Sequence, residues 1–341
     1  MNEHRYEYDI LRIMACICVV TIHVLGKFID IPIKTLNWNI MNFCEILTRF
    51  SVCIFFMISG ALFLQRDTID IKRLFKKNIS KLIFFYFSWA LIYFCYSLKY
   101  SSYENIDEVL SEIVGGGGAY QLWFVPALIM VYLWFPILAN AIHGKKIDVF
   151  YMICICGLSV LYKTIEVIPD CPKFVLTFID TFSTSYYVYI IYALLGYYLS
   201  TKKIESKRGW LIVIFIINSI IFSFLSYKLC VLANESIQSL YVYMTIPQFV
   251  NAICVFAFFI SRKKMILKSK TINLVKYVSD STLGVYGIHI LILVYALNNI
   301  CWPSAENNIF AFLIYDIGIV CVSFFIIFII KKIPIFRKVL C

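Results

Sequence analysis

Residues 8–24 read YDILRIMACICVVTIHV, an apolar stretch that carries one arginine and one histidine. A helix needs about 20 apolar residues to cross the hydrocarbon core of a bilayer, and this stretch with its neighbours is long enough. The segment before it is polar, and no small-residue cleavage site follows it. We therefore predict a retained transmembrane helix rather than a signal peptide.

The rest of the chain has the same character. Of its 341 residues, 62% are hydrophobic and 15% are charged, and the mean hydropathy is +0.84. A soluble domain is nearer half apolar and a quarter charged, so most of this chain must lie in lipid. We predict an all-α polytopic membrane protein, a single domain over residues 1–341, with no soluble domain at either end. The ten predicted spans are residues 10–29, 46–65, 80–98, 121–142, 147–163, 183–200, 210–229, 239–260, 278–299 and 309–330.

The basic residues indicate the orientation. The net charge is +11, and 24 of the 31 Lys and Arg residues fall on one side of the membrane when the predicted spans are followed in order. By the positive-inside rule this side is cytoplasmic, and with ten spans both termini lie there. The same distribution explains the positive charge without a nucleic-acid partner. We expect a multi-pass protein of the plasma membrane whose solvent is the lipid bilayer; the sequence does not indicate its oligomeric state.

Several soluble enzyme classes lack support. The sequence contains no Walker loop, no GxSxG elbow and no HExxH helix, which argues against ATPases, serine hydrolases and metalloproteases. The thirteen cysteines show no paired CxxC and no Cys/His spacing suited to zinc, so we expect no metal.

Ionisable residues inside a membrane span are costly and therefore mark candidate sites. Arg12 and His23 are eleven residues apart, three helical turns plus about 20°, so they share one helix face about 16 Å apart. This pattern predicts a cavity lined by both residues, with Asp9 close enough to pair with Arg12. Two plainer alternatives remain, since Arg12 could extend to the lipid headgroups and His23 could only bind a neighbouring helix.

Further polar residues lie in or near other spans. His289, in the ninth span, is predicted at nearly the same depth as His23. Arg49 is expected at the outer mouth of the second span, and Ser59 and Gly60 further along should let a helix or a ligand come close. Trp123 could stack on a sugar or anchor the chain at the interface. Additional buried polar residues, expected in part to tie helices together, are Asn218, Gln248, Asn251 and Asp316.

These stretches resemble the membrane acyltransferase-3 family. The mark of its first helix is an Arg, ten residues and then a His, which Arg12 and His23 match. Four later stretches resemble its second, fourth, sixth and ninth helices: RFSVCIFFMISGALFL at 49–64, LWFVPALIMVYLWFPIL at 122–138, YIIYALLGYYLS at 189–200 and LGVYGIHILIL at 283–293. The matches run in order through nearly the whole chain.

The resemblance implies transfer of an acyl group, commonly acetyl, from cytoplasmic acyl-coenzyme A to a sugar hydroxyl. The acceptor is often a surface polysaccharide or a related glycan, including a lipid-linked sugar, of a bacterium. His23 would be the catalytic histidine and Arg12 its partner for the donor. Members often carry Arg-x-x-Arg near the start of the third helix, where this chain has KKNISKL at 76–82. Lysine lacks the bidentate fork of arginine, but Lys76, Lys77 and Lys81 still provide a basic mouth for the coenzyme A phosphates.

The expected mechanism combines the two interpretations. His23 acts as general base on the acceptor hydroxyl, while His289 orients the acceptor, stabilises the oxyanion or only packs. Arg49, Ser59 and Trp123 are the expected acceptor-binding residues. Two other functions remain open: a transporter module for a small molecule such as an amino acid, and a noncatalytic partner of a polysaccharide synthase.

Overall fold

The fold is all-helical, as the computed structural model of the chain shows. The structure describes residues 5–26, 31–100, 109, 112–144, 187–202, 208–261, 269–299 and 309–340. Helix accounts for 84% of the structure, and the described ranges contain no strand. The predicted all-α class is therefore confirmed.

The helices are numbered here in chain order. They are α1 (Tyr6–Leu25), α2 (Leu36–Thr48), α3 (Ser51–Phe63), α4 (Ser80–Ser97), α5 (Phe124–Gly144), α6 (Tyr187–Thr201), α7 (Arg208–Ala233), α8 (Ile246–Ile260), α9 (Ser269–Ser279), α10 (Thr282–Asn299), α11 (Ile309–Ile330) and α12 (Pro334–Val339). A short helix at Ile71–Arg73 and a π-helical turn at Leu74–Ile79 precede α4. Single 3₁₀ turns at Tyr120–Trp123 and Ser239–Tyr241 precede α5 and α8.

Within the described residues, eight segments are long and apolar enough to cross a membrane. They are Tyr6–Leu25, Leu36–Phe63, Ile71–Ser97, Tyr120–Gly144, Arg208–Ala233, Ser239–Ile260, Thr282–Asn299 and Ala311–Ile330. Each overlaps a predicted span. The sixth predicted span corresponds to α6, which is apolar but has only 15 residues. The fifth, residues 147–163, lies outside the described residues. The chain is a multi-pass membrane protein, and the total of ten spans stays a prediction.

The second membrane segment differs from the prediction. It begins at Leu36 rather than at residue 46 and is broken between α2 and α3, and Arg49 lies at this break. The position of Arg49 at the outer mouth stays a prediction. The polar side chains of α2 hid this first half of the segment in the sequence. Asn42 shows how such a side chain is accommodated in the bundle: it donates to the Ser223 carbonyl at 2.8 Å and accepts from Tyr241 Oη at 2.7 Å.

Helix α1 occupies the centre of the bundle. It contacts α2, α3, α8, α9, α10 and α11. Leu11, Ala15 and Val24 on this helix are fully buried. Contacts with six helices bring one face of α1, with the polar residues on it, into the interior of the bundle.

Helices α3 and α6 pack with their backbones in close approach. A Cβ atom added at Gly60 would overlap the backbone of Ala193, and one added at Gly196 would overlap the backbone of Met57. Small residues permit such contacts between membrane helices. The predicted role of Gly60 in close packing is thus confirmed.

Gly60→Ala is expected to lower the free energy of unfolding by about 1–3 kcal/mol or more, because backbone atoms must move apart to admit the methyl group. Thermal unfolding in detergent would measure the loss. Gly318→Ala in α11 is the matched control, since nothing lies within 4 Å of its added Cβ. Equal melting temperatures for the two variants would contradict the close packing.

The other predicted polar residues tie helices together. Asn218 on α7 donates to Asn251 Oδ1 on α8 at 2.8 Å, and Asn251 donates to the Ile46 carbonyl on α2 at 3.3 Å. Gln248 donates to the Leu240 carbonyl at 3.2 Å. Asp316 on α11 accepts from Thr21 Oγ1 of α1 at 2.9 Å.

Candidate active site

One cavity lies at the N-terminal half of α1 and is named here the Arg12 cavity. Its volume is about 240 Å³. The lining residues include Arg12, Val19, Phe55, Ser59, Lys77, Asn78, Lys81, Phe124, Tyr132, Thr282 and Tyr286. Cationic groups therefore border a largely apolar space inside the bundle.

Arg12 is held in place by an acidic partner. Its Nη1 donates to Asp9 Oδ1 at 3.2 Å, as the sequence predicted. Asp9 is buried, and the same oxygen accepts from Ser279 Oγ of α9 at 2.9 Å. A guanidinium has five N–H donors, so this pairing fixes its direction while leaving donors for an anion or a carbonyl in the cavity.

A basic surface adjoins the Arg12 cavity. A depression of about 950 Å³ is lined by Lys72, Arg73, Lys76, Lys77 and Lys81, together with Asp70, Ser80 and Phe84. Lys77 and Lys81 line both spaces. Lys76 and Lys77 lie on the π-helical turn before α4, a local widening that often occurs at functional sites. The structure thus gathers the three lysines predicted for the coenzyme A phosphates.

A second cavity lies at the C-terminal end of α1 and is named here the His23 cavity. Its volume is about 390 Å³. The lining residues include Ile22, His23, Trp38, Met41, Asn42, Glu45, Arg49, Tyr120, Trp123, Ser236, Gln238, Tyr241 and Tyr243. Aromatic walls with a few polar groups are typical of small-molecule sites, and the volume is in their usual range.

His23 contacts two other rings. Its Nδ1 lies 3.1 Å from Tyr120 Oη. The ring centroids of His23 and His289 are 5.0 Å apart, so α1 and α10 bring the two histidines into contact. The predicted similarity of their depths is confirmed.

The surroundings of His289 determine which of its nitrogens carries the proton. The residue is fully buried, and its Nδ1 lies 2.8 Å from the Tyr286 carbonyl and 3.2 Å from the Val285 carbonyl. Carbonyls only accept, so Nδ1 is the protonated nitrogen and Nε2 of the neutral ring has a free lone pair. In the described part of the chain Nε2 has no hydrogen-bond partner. A neutral His289 can therefore accept a proton but cannot donate from Nε2 to an oxyanion.

Arg12 and His23 do not share one cavity, which corrects the sequence prediction. Tyr286 and Phe124, whose ring centroids are 5.5 Å apart, line the Arg12 cavity, whereas Tyr120 and Trp123 line the His23 cavity. Tyr286 Oη donates to the Gln121 carbonyl in the turn before α5. These side chains and the turn form a layer between the cavities, level with the stretch of α1 between Val19 and Ile22.

The expected acceptor-binding residues fall in two places. Arg49 and Trp123 line the His23 cavity. Ser59 lines the Arg12 cavity instead, and its Oγ donates to the Phe55 carbonyl at 2.9 Å. Ser59 is therefore not grouped with Arg49 and Trp123 as predicted. It lies further along α3 and faces α5, where its Oγ is 3.5 Å from Tyr132 Oη.

The residues of the His23 cavity that sequence reasoning missed include Asn42, Glu45 and Tyr120. Glu45 pairs with Arg49 four residues later. This spacing on a helix was a usable signal, but the predicted span began just after Glu45. Tyr120 carried no such signal, since its contact with His23 joins residues 97 apart.

Comparison with known proteins assigns the family. The family model described as an acyltransferase domain matches residues 5–331, which is essentially the whole chain and includes both cavities. No curated protein and no solved structure gives a significant match. The chain therefore belongs to the acyltransferase-3 family and is a membrane acyltransferase.

Proposed function

We propose that the protein transfers an acyl group, commonly acetyl, from acyl-coenzyme A to a hydroxyl of a sugar acceptor in a surface glycan or its lipid-linked precursor. One observation carries this proposal. The basic Arg12 cavity and the aromatic His23 cavity follow one another along α1, and one layer of side chains separates them. A two-substrate transfer needs such a pair of sites with the reacting groups between them.

In this proposal the donor enters at the basic end. The coenzyme A phosphates bind Lys76, Lys77 and Lys81, and the pantetheine arm extends along the Arg12 cavity. The positive-inside rule assigns this end, with both termini, to the cytoplasmic face of the plasma membrane. The acceptor occupies the His23 cavity from the other face. The thioester reaches it by displacing the side chains of Phe124 and Tyr286.

His23 is the proposed general base. When Nδ1 donates to Tyr120 Oη, Nε2 keeps the lone pair that removes the acceptor proton. The acceptor oxygen forms a bond to the thioester carbonyl carbon, and the bond from that carbon to sulfur breaks. The coenzyme A thiolate takes the proton back from the imidazolium. The products are the sugar ester and free coenzyme A, and the imidazole returns to its starting form.

His289 is the proposed positioning residue for His23. His289→Phe keeps a ring of similar size in contact with His23 but removes the ring nitrogens. We expect about a tenfold lower kcat, an altered pH profile of kcat and an unchanged KM for the donor. Steady-state kinetics across pH would measure this. An unchanged kcat and pH profile in a variant that melts like the wild type would reduce His289 to a packing role.

The test of the proposed function is binding and turnover of radiolabelled acetyl- and succinyl-coenzyme A by the purified protein. Saturable binding with release of free coenzyme A would support the transferase and identify the preferred donor. Failure to bind either donor would overturn the proposal. Reconstituted protein that takes up a small molecule without any acyl-coenzyme A would instead support a transporter. A role as noncatalytic partner of a synthase predicts no turnover by the chain alone.

A further inference from the structure

The His23 cavity contains an ion pair that uses only one oxygen of its carboxylate. Glu45 Oε1 accepts from Arg49 Nε at 2.6 Å, and Arg49 Nη2 contacts the same oxygen. Glu45 is 6% exposed. Its other oxygen, Oε2, is buried and has no hydrogen-bond partner among the residues that the structure describes. Both residues of the pair line the cavity.

A carboxylate oxygen only accepts hydrogen bonds. Buried polar atoms in proteins are nearly always paired, and a ligand in the cavity that brings a donor would satisfy this oxygen. Hydroxyl and ammonium groups meet this requirement. A carboxylate on the ligand does not, since it has no proton to donate and carries the same charge as Glu45.

The charge of Arg49 is already balanced by the carboxylate of Glu45, so the pair presents no net positive charge to an acidic ligand. Arg49 Nε and Nη2 are both directed to Glu45. Its guanidinium carbon lies 5.7 Å from the ring centroids of both Tyr241 and Tyr243, in cation–π geometry. The positive charge is thus balanced by Glu45 and covered by aromatic rings.

The rest of the wall suits the faces of a sugar ring. Trp123 and Tyr243 lie with ring centroids 5.5 Å apart, and Trp38 and Tyr120 border the same space. Flat aromatic surfaces with a polar edge contact the C–H faces of a pyranose while its hydroxyls reach polar groups. Shape and polarity therefore agree with the hydrogen-bonding requirement of Glu45.

We infer that Glu45 Oε2 is a specificity-determining group for the acceptor, and that the His23 cavity takes an uncharged or amine-bearing sugar and excludes an acidic one. The inference rests on the proposed transferase function and narrows its substrate class. A hydroxyl or ammonium group of the acceptor donates to Oε2.

The experiment compares three acceptors that share one aglycone: a glucoside, a glucosaminide and a glucuronide. Transfer from labelled acyl-coenzyme A is measured for each as kcat/KM. We expect the wild type to prefer the first two over the glucuronide by about 10- to 100-fold, the range for a hydrogen bond to a charged group. Glu45→Gln should lose this preference and move toward the glucuronide, because Arg49 is then unbalanced.

A second variant controls for the possibility that Glu45→Gln fails to fold. Glu45→Gln combined with Arg49→Gln removes both charges, so no unpaired ion stays buried. It should accept all three sugars with similar kcat/KM. Release of coenzyme A, measured in parallel, distinguishes failure of the acceptor specificity from failure of the transferase function. A wild type that turns over donor but prefers the glucuronide, uses none of the three sugars, or keeps its selectivity in both variants would overturn the inference alone. Absence of donor binding and turnover would overturn the proposed function.

Discussion

His23→Ala is expected to lower the rate of acyl transfer by about 10²–10⁴, the usual contribution of a positioned general base. The variant should bind the donor as well as the wild type does, because His23 lines the other cavity from Arg12. Single-turnover transfer of labelled acyl groups would measure the rate, and equilibrium binding of acyl-coenzyme A would measure the affinity. A defect in rate alone separates a catalytic role from a structural one.

His143→Ala is the matched control for this variant. His143 contacts the Leu64 carbonyl at 2.7 Å and lines neither cavity, so its removal should leave transfer nearly unchanged. Tyr120→Phe should give a transfer rate between those of the wild type and His23→Ala, since it removes the hydroxyl that orients His23 but keeps the base. Retention of most transfer activity by His23→Ala would exclude the general-base role and leave the histidine as an interhelical contact.

The sequence predicted the elements of this site better than their arrangement. Helical periodicity placed Arg12 and His23 on one face of α1, and the pairing of Arg12 with Asp9 followed from their spacing. The layer between the two cavities could not be predicted in this way. It is built from the turn at Tyr120–Trp123 and from Tyr286, which are distant from α1 in sequence.

The predicted start of the second span explains why Glu45 was missed. Hydropathy placed the start of the span at residue 46 because α2 contains asparagines and a glutamate. Those groups are acceptable in the bundle since each binds a partner there, as Asn42 does with Ser223 and Tyr241. The partners of Asn42 are tertiary contacts, so local composition alone underestimated the length of the segment. Glu45 was left outside it, although its partner Arg49 is only four residues away.

Arg12→Ala is expected to weaken binding of acyl-coenzyme A by about 10- to 100-fold, the loss of one charge-assisted hydrogen bond. The guanidinium borders the cavity that the donor is proposed to enter, and Asp9 fixes its direction. Equilibrium binding in detergent would measure the effect. The same substitution removes the cation that pairs with the buried Asp9, which alone can destabilise the bundle. Donor binding by Arg12→Ala must therefore be compared with binding by variants in which the charges at positions 9 and 12 stay balanced.

Two such variants separate donor binding from folding. Arg12→Lys keeps a cation near Asp9 but loses the planar fork, so it should fold normally and bind the donor with intermediate affinity. Asp9→Asn combined with Arg12→Gln removes both charges; the amide oxygen introduced at position 9 can still accept from Ser279, and no buried ion stays unpaired. This double variant should melt near the wild type and yet bind the donor as weakly as Arg12→Ala. If it binds the donor with wild-type affinity, Arg12 serves only the fold, and the lysines of the basic surface must hold the donor without it.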